Sequence, residues 1–174
     1  KGLAGHEHVW QVIADGLPDD LMPLASREAI PNNLPLQLTS FVGRIQELHD
    51  VQEMLTRSRL VTLTGVGGTG KTRLALQAAA AQLSEFRDGV WFVEFAQVTD
   101  PALVPQAIAT LWNLREQNGR TLSEALVEYL RARHLLLVLD NCEHLLDACA
   151  EIADTLLRGA PHLLQKSEAN RCSQ

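Results

Sequence analysis

The sequence predicts an α/β domain in which helices cover both faces of a parallel sheet. Two observations lead to this fold class. From Thr39 onward, short β-rich runs alternate with segments whose apolar residues recur at helical spacing, and this alternation is typical of βαβ units. In addition, the run 135–139 is apolar without interruption and is bounded by charge, as expected of a strand buried on both faces.

The predicted elements follow the chain in order. A first helix is indicated by four apolar residues at helical spacing, namely Ile45, Leu48, Val51 and Leu55. The β-rich runs 60–64, 90–95 and 135–139 are predicted strands. The segments 73–83, 101–114, 122–133 and 145–157 are predicted helices because they are rich in Ala and Leu or carry an apolar stripe. Asp100 and Pro101 suit the N-cap and the first position of their helix.

The composition excludes several classes of protein. The 174 residues are 46% hydrophobic, which gives one domain of ordinary size enough apolar side chains for a core. The net charge of −6 argues against a surface built for nucleic-acid binding. Three cysteines without a CxxC pair disfavour a disulfide framework and predict a reducing, cytoplasmic location. No apolar run approaches the ~20 residues of a membrane span, so no membrane partner is expected.

Proline usage divides the chain. Four of the seven prolines lie in the segment 16–38, which predicts an extended linker because proline fixes φ and restricts the residue before it. The linker separates a short piece, 1–15, from the main domain, 39–164, and a divergent polar tail occupies 165–174. The piece 1–15 resembles a single strand, which is not stable alone. We therefore expect it to be the remnant of an upstream domain, and the chain, which begins with Lys1, to be a piece of a longer protein.

A glycine-rich segment follows the first predicted strand and matches the pattern G-x-x-x-x-G-K-[ST], which is typical of a phosphate-binding loop. Glycines let successive backbone N–H groups point at phosphate oxygens, and the helix that follows presents its positive N-terminal end to the same anion. The ordinary alternative is a glycine-rich turn with an exposed lysine. The predicted loop consists of Gly65, Val66, Gly67, Gly68, Thr69, Gly70, Lys71 and Thr72.

Three side chains are candidates for phosphate and Mg²⁺ chemistry. Lys71 is expected to reach the β- and γ-phosphates, and the Thr72 hydroxyl to ligate Mg²⁺. Asp140 ends the buried run 135–139, and an acid at the tip of a buried strand suits the organisation of Mg²⁺. The alternative role for Asp140 is to cap the next helix, and the two roles are compatible.

Hydrolysis also requires a group that orients the attacking water. Asn141 follows Asp140, and an amide positions water but is a poor base. Glu143 is an alternative for this role, although it also suits support of the next helix N-terminus. The sequence therefore leaves open whether ATP is hydrolysed.

Taken together, three segments resemble the nucleotide-binding domain of STAND-class signalling ATPases, which are relatives of NB-ARC and AAA+ domains. They are Phe-Val-Gly-Arg at 41–44, the strand and loop at 60–72, and Leu-Leu-Val-Leu-Asp-Asn-Cys-Glu-His at 136–144. The similarity covers residue 34 to about residue 163. It is greatest to bacterial regulators in which this domain lies between an effector and a helical-repeat sensor.

The resemblance implies a P-loop NTPase fold, a three-layer sandwich with a parallel sheet, that takes ATP or ADP with Mg²⁺. It places Val42, Gly43 and Arg44 on the adenine and ribose side of the nucleotide. The loop 65–72 would surround the phosphates, and Asp140 would face Mg²⁺.

The N-terminal residues resemble a second family. The first dozen residues, with Val-Trp-Gln-Val at 9–12, are similar to the end of a class III adenylate/guanylate cyclase domain. The segment 34–44 is similar to the join found in cyclase–ATPase regulators, which often end in a LuxR-type DNA-binding helix-turn-helix. This resemblance implies that the other domains of a full-length regulator are partners of this one.

The C-terminus departs from the family pattern. The family continues after the Asp140 helix with Pro, a short apolar strand and a Thr-Ser-Arg that senses the γ-phosphate. Here Ala-Pro-His-Leu-Leu at 160–164 begins in that way, but 165–174 is polar and does not match. We therefore expect a domain truncated at its C-terminus that lacks the strand normally lying between the phosphate-loop strand and the Asp140 strand, which leaves both strands with unpaired edges. Residues 162–166 are the candidates to supply part of that strand.

The expected function is that of an ATP/ADP-binding switch in a bacterial signalling or transcriptional regulator. Any hydrolysis would be slow and would use Lys71, Thr72 and Asp140. The alternatives are a catalytic P-loop ATPase with sustained turnover and a non-binding fragment of a broken gene.

Several other polar residues are more simply structural. His6 and His8 form an H-x-H pair without a third ligand nearby, so surface histidines are favoured over a metal site. Cys142 and Cys149 are seven positions apart and are predicted to be buried on one helix face, with a redox pair as the alternative. His144 is close enough in sequence to Asp140 to approach the site.

Overall fold

A computed structural model describes residues 30–36, 43–116 and 119–169 of the chain, including their side chains except at 165–169. The predicted remnant 1–15, most of the linker 16–38, Val42 and the residues 170–174 of the polar tail lie outside the described residues.

Helices and strands alternate along the described residues, as the sequence predicts. The helices are α1 (Ile45–Arg57), α2 (Lys71–Ala81), α3 (Val104–Ala109), α4 (Leu122–Leu130) and α5 (Leu146–Gly159). The strands are β1 (Leu60–Thr64), β2 (Val90–Glu94), β3 (Leu135–Asp140) and β4 (Leu163–Ala169). Short 3₁₀ turns at Pro101–Leu103 and Thr110–Trp112 flank α3, so the predicted helix 101–114 forms as three consecutive helical pieces.

Side chains cap two of these helices as their residue types require. The Asp100 carboxylate accepts a hydrogen bond of 2.9 Å from the N–H of Ala102, with Pro101 in the first turn. Thr121 and Glu124 cap each other's backbone N–H groups at the start of α4. Both arrangements satisfy N–H groups that have no partner within the helix.

The four strands form one parallel sheet in the order β1-β4-β3-β2. This confirms the predicted α/β fold class with a parallel sheet. Because all strands run in the same direction, their carboxyl ends lie along one edge of the sheet, where ligands of open α/β folds bind. The loop after β1 and the residues after β2 and β3 therefore meet at that edge.

Strand β4 corrects the expectation of unpaired edges. It lies between β1 and β3, pairing Leu60 with Gln165 and Leu135 with Leu163, and it extends through Ala169 into the segment expected to be a polar tail. Backbone N–H and C=O groups form these ladders whatever the side chains are, so a polar sequence fills the position. Arg59 fixes the entrance to β4 by donating to the carbonyls of Ala160 and Leu163 at 2.5 and 3.4 Å.

Alternate side chains of β3 enter two separate cores, which defines three layers. Leu135, Leu137 and Leu139 pack in a cluster with residues of α3, α4 and α5. Leu136 and Val138 pack in a second cluster with residues of α1 and α2. Every residue of β3 is buried, as expected for a strand covered on both faces.

The described part of the predicted linker lies beside β2 at the edge of the sheet. The N–H of Val90 donates to the carbonyl of Pro31 at 3.1 Å. The Asn33 side chain then acts as a strand backbone would: its amide donates to the Phe92 carbonyl at 2.8 Å, and its oxygen accepts from the Phe92 N–H at 2.6 Å. Residues 30–36 therefore satisfy part of an edge that would otherwise be open to other chains.

Asp88 joins the turns that lead into β2 and β3. Its carboxylate accepts the His134 N–H at 2.7 Å and lies beside Arg87 and Arg133. Burial raises the pKa of Asp88, but the hydrogen bonds from His134 and Arg87 and the two nearby charges outweigh it. The net effect is a pKa of Asp88 below its ordinary value.

Candidate functional site

The glycine-rich loop curves between the end of β1 and the start of α2. Gly68 and Gly70 have φ angles of +77° and +80°, a conformation that a side chain would strain. The hydroxyl of Thr69 donates to the Val66 carbonyl at 2.8 Å and holds the curve from within. Because Gly70 is the N-cap of α2, the loop ends at the positive end of that helix, where an anion is stabilised.

Lys71 is the first residue of α2, and its side chain folds back over the loop. The ammonium group donates to the carbonyls of Gly65 and Val66 at 3.1 and 3.2 Å. The positive charge of Lys71 therefore lies against the first two residues of the loop.

Thr72 and Asp140 meet although they are far apart in sequence. The Thr72 hydroxyl donates to the Asp140 carboxylate at 3.0 Å. Asp140 is 2% exposed and is the one buried charged side chain among the described residues. The start of α2 is thus joined to the tip of β3, and the expected pair of Mg²⁺ ligands lies together.

The chemistry of this pair fits Mg²⁺. Mg²⁺ prefers hard oxygen donors and is usually held by one or two carboxylates together with substrate phosphates and water. Thr72 and Asp140 supply a hydroxyl and a carboxylate. Within the described ranges, no group of three or more His, Cys, Asp or Glu side chains could form a complete metal cage, so a site of this kind would depend on oxygens from a bound phosphate.

Arg44 lies against the loop, 25 positions before its contact. It adopts a left-handed conformation with a φ of +55° at the N-cap of α1. One guanidinium nitrogen donates to the Thr69 carbonyl at 2.6 Å, and another donates to Glu47 at 3.1 Å. This places Arg44 on the backbone of the phosphate loop, with Gly43 immediately before it. The expected contact of Val42, Gly43 and Arg44 with adenine and ribose stays a prediction, and Val42 lies outside the described residues.

The electrostatics of Glu47 reflect the same contact. The backbone N–H of Glu47 itself and the guanidinium of Arg44 hydrogen-bond to its carboxylate, and together they hold the pKa of Glu47 below its ordinary value. Arg44 therefore bridges an ionised carboxylate on α1 and a carbonyl of the loop.

A carboxylate that the sequence analysis did not single out lies beside Asp140. Glu94 ends β2 and is paired in register with Asp140. Its Oε1 atom accepts a hydrogen bond of 3.3 Å from the side-chain amide of Asn141. A signal in the sequence could have pointed to Glu94, because it is the last acidic residue of the second predicted strand, 90–95, and neighbouring parallel strands end at the same edge of the sheet. The sequence does not reveal that those two strands are neighbours.

The remaining candidates near Asp140 have structural contacts. The His144 ring bonds the Val98 carbonyl at 2.7 Å, which holds it on the turn after β2. Cys142 and Cys149 are both buried, as predicted, but Cys142 precedes α5 and does not share its face, since the chain turns once between Asn141 and Leu146 before the helix begins. The hydrogen bond from Cys142 lowers the pKa of the Cys149 thiol, and burial opposes it.

Comparisons with known proteins identify the family of this domain. The model of the AAA domain family matches residues 54–169. An uncharacterized protein of Mycobacterium tuberculosis is 50% identical over 126 residues, which are 72% of this chain and 32% of that protein. A second protein of that organism, described as a candidate HTH-type transcriptional regulator, is 47% identical over 113 residues, which are 65% of this chain and 13% of that protein. The chain therefore spans 32% or less of the length of these curated relatives.

A solved structure supports the fold. The chain is similar to the crystal structure of Cdc6p from Pyrobaculum aerophilum, with a TM-score of 0.52 and 22% sequence identity, over 84% of this chain and 42% of that one. Within the part of the chain that the structure describes, no helix has the length and apolar character needed to cross a membrane.

Proposed function

This chain belongs to the AAA domain family, and we propose that it binds ATP and ADP, with Mg²⁺, as the nucleotide-dependent switch of a bacterial signalling or transcriptional regulator. The P-loop fold itself implies nucleotide binding. The preference for adenine, the role as a switch and the wider regulator are parts of the proposal.

The contact between Thr72 and Asp140 carries this proposal. It brings a hydroxyl and a buried carboxylate to 3.0 Å from each other, next to a lysine whose ammonium lies over a loop that opens at a helix N-terminus. A glycine-rich turn with an exposed lysine would need none of these contacts. Each of them suits a bound triphosphate, because cation, helix dipole and metal ligands converge on one place.

Different residues of the site would contact the phosphate groups and the metal ion. Bound Mg²⁺ would neutralise charge on the phosphate oxygens. The backbone N–H groups of the loop 65–70 would donate to those oxygens, and Lys71 would exchange its bonds with the loop carbonyls for bonds to phosphate. Thr72 and Asp140 would hold the metal from the α2 and β3 sides.

Arg44 supports a role as a switch. It connects the N-terminus of α1 to the Thr69 carbonyl, so movement of the loop upon phosphate binding would be transmitted to α1. Nucleotide-driven switching of this kind relies on such a connection between the phosphate site and a neighbouring element. One relative is described as a transcriptional regulator, which supports placing the chain in such a protein. With a net charge of −6, the chain itself is not proposed to contact nucleic acid.

The test is the thermal stability of the chain with ATP, ADP and GTP, each with and without Mg²⁺. A ligand that binds only the folded state stabilises it by about 2.7 kcal/mol at about 100 times its Kd. We expect a rise with ATP and ADP that Lys71→Ala abolishes. Arg57→Ala is the matched control, because it also removes one positive charge, from an exposed side chain on α1 that bonds Glu53. Equal shifts in both variants, or no shift with any nucleotide, would contradict the proposal.

The second candidate is a catalytic ATPase with sustained turnover. The observation that favours it is the carboxylate of Glu94 beside Asn141, which places an acid near the position where a nucleophilic water would be oriented. A Mg²⁺-dependent rate of phosphate release that continues for many turnovers would support this candidate, and a single turnover followed by retained ADP would support the switch.

A further inference from the structure

We propose that Glu94 is the general base for ATP hydrolysis at this site, in place of the base that Asn141 cannot provide. This inference rests on the proposed function, since it requires ATP at the phosphate loop.

Glu94 lies at the edge of the sheet that the carboxyl ends of the strands form. Glu94 and Asp140 are paired in register at the ends of β2 and β3, and the N–H of the following residue, Phe95, donates to the Asp140 carbonyl at 3.0 Å. Both strands are therefore fixed to each other at their last residues. The position of Glu94 relative to the Mg²⁺-binding carboxylate is set by the sheet and not by a mobile loop.

Asn141 orients the Glu94 side chain. Asn141 has a φ of +56°, a left-handed conformation that asparagine tolerates better than most residues, and its amide N–H donates to Oε1 of Glu94 at 3.3 Å. This hydrogen bond holds one carboxylate oxygen of Glu94 against the residue that follows Asp140. In the described part of the chain, the other oxygen, Oε2, has no hydrogen-bond partner, and the side chain is exposed. Water can reach it.

A continuous series of contacts joins Glu94 to the phosphate loop. Thr72, the second residue of α2, bonds Asp140, and the residue after Asp140 bonds Glu94. A water held between the loop and Glu94 would therefore have the metal-binding side chains on one side and a proton acceptor on the other. Asp140 is less suited to the role of base, because it is buried and its carboxylate is engaged by Thr72.

The proposed step is balanced. The oxygen of the water forms a bond to the γ-phosphorus while the bond between that phosphorus and the β–γ bridging oxygen breaks. The bridging oxygen keeps the electron pair and leaves as part of ADP. One water proton passes to Oε2 of Glu94, and it is released to solvent when inorganic phosphate departs.

The experiment measures phosphate release from Mg²⁺-ATP and nucleotide-induced thermal stabilisation in the same preparations of the full chain. A general base contributes roughly 10²- to 10⁴-fold, so Glu94→Gln is expected to lower kcat at least 100-fold while KM for ATP and the stabilisation by ATP stay at the wild-type level. Glu128→Gln, which makes the same chemical change at an exposed position on α4, is expected to keep the wild-type rate. Asn141→Glu introduced into the Glu94→Gln variant restores a carboxylate at this edge and is expected to recover most of kcat.

The outcomes separate this inference from the proposed function. Wild-type kcat in Glu94→Gln, a loss of rate in Glu143→Gln of the same size, or stabilisation by ATP without any phosphate release in the wild type would each overturn the role of Glu94. All three leave nucleotide binding intact. A fall in ATP affinity that accounts for the whole effect of Glu94→Gln would also overturn it, because a base acts on the rate and not on binding. Absence of stabilisation by any nucleotide would overturn both proposals.

Discussion

The hydrogen bond between Thr72 and Asp140 makes a measurable contribution to the fold before any nucleotide binds. Its donor is removed by Thr72→Ala. A hydrogen bond to a charged group contributes about 1.5–3 kcal/mol to stability. The substitution also replaces a β-branched residue in the first turn of a helix with alanine, which returns about 0.5 kcal/mol of helix propensity. We therefore expect Thr72→Ala to lower the free energy of unfolding by about 1–2.5 kcal/mol.

Urea denaturation of four proteins isolates the pair: the wild type, Thr72→Ala, Asp140→Ala and the double variant. The expected interaction free energy is about 1.5–3 kcal/mol, because each single variant breaks the same bond. Thr155→Ala on α5 is a matched control for the change in helix propensity, since its hydroxyl bonds the Glu151 carbonyl of its own helix. Thr72→Ser keeps the hydroxyl and should retain most of the interaction with Asp140.

An interaction free energy below about 0.5 kcal/mol would refute this reasoning, since that is the scatter expected of residues that do not interact. It would mean that the 3.0 Å hydrogen bond between Thr72 and Asp140 stabilises the fold no more than the hydrogen bonds that each group makes with water in the unfolded chain. The argument for a preformed pair of metal ligands would then fail, even if nucleotide binding were later demonstrated.

Three further predictions concern stability. An added Cβ at Gly159 would collide with Cγ1 of Val127. Gly159→Ala should therefore lower the free energy of unfolding in urea by roughly 1–3 kcal/mol instead of gaining helix propensity, and adding Val127→Ala to that variant should relieve the loss. The pKa of Asp88 is lower in the folded state than in the unfolded state. The stabilisation by its carboxylate is therefore present above about pH 4 and is lost as the pH falls through the folded-state pKa. The difference in unfolding free energy between the wild type and Asp88→Asn should accordingly shrink in acid. Asn33→Ala should accelerate hydrogen exchange of the Phe92 amide, whereas Asn33→Asp, which keeps the acceptor, should leave that amide protected.

Hydrophobic periodicity and the apolar run 135–139 were sufficient to predict most of the layered fold. The uninterrupted apolar run that became β3 is buried at every residue, and its two faces enter the two cores, as a strand between helical layers requires. The phosphate loop and Asp140 were likewise visible, because each is defined by residues adjacent in sequence. Such features need no knowledge of which strands are neighbours.

Features that depend on tertiary contact were visible only in part. A strand between β1 and β3 was expected from the family resemblance, and it begins at Leu163, which is buried in the core. Its continuation through the mostly polar residues 165–169 was not expected, and it rests on backbone pairing with β1 and β3. The bond from Arg44 to Thr69 spans 25 positions and depends on how α1 crosses the loop. Neither composition nor spacing contains that information.

The identity of the residue after Asp140 does not by itself decide whether a site of this kind can hydrolyse ATP. From the sequence, Asn141 argued for slow hydrolysis, because an amide is a poor base. In the folded chain the Asn141 amide donates a hydrogen bond to the Glu94 carboxylate on β2. An amide and a carboxylate therefore lie together at this edge of the sheet, although they belong to different strands. A carboxylate that serves as a base can be supplied from either of two adjacent parallel strands, because both end at the same edge of the sheet. The role proposed for Glu94 therefore rests on its register with Asp140, which becomes available only when the order of the strands is known.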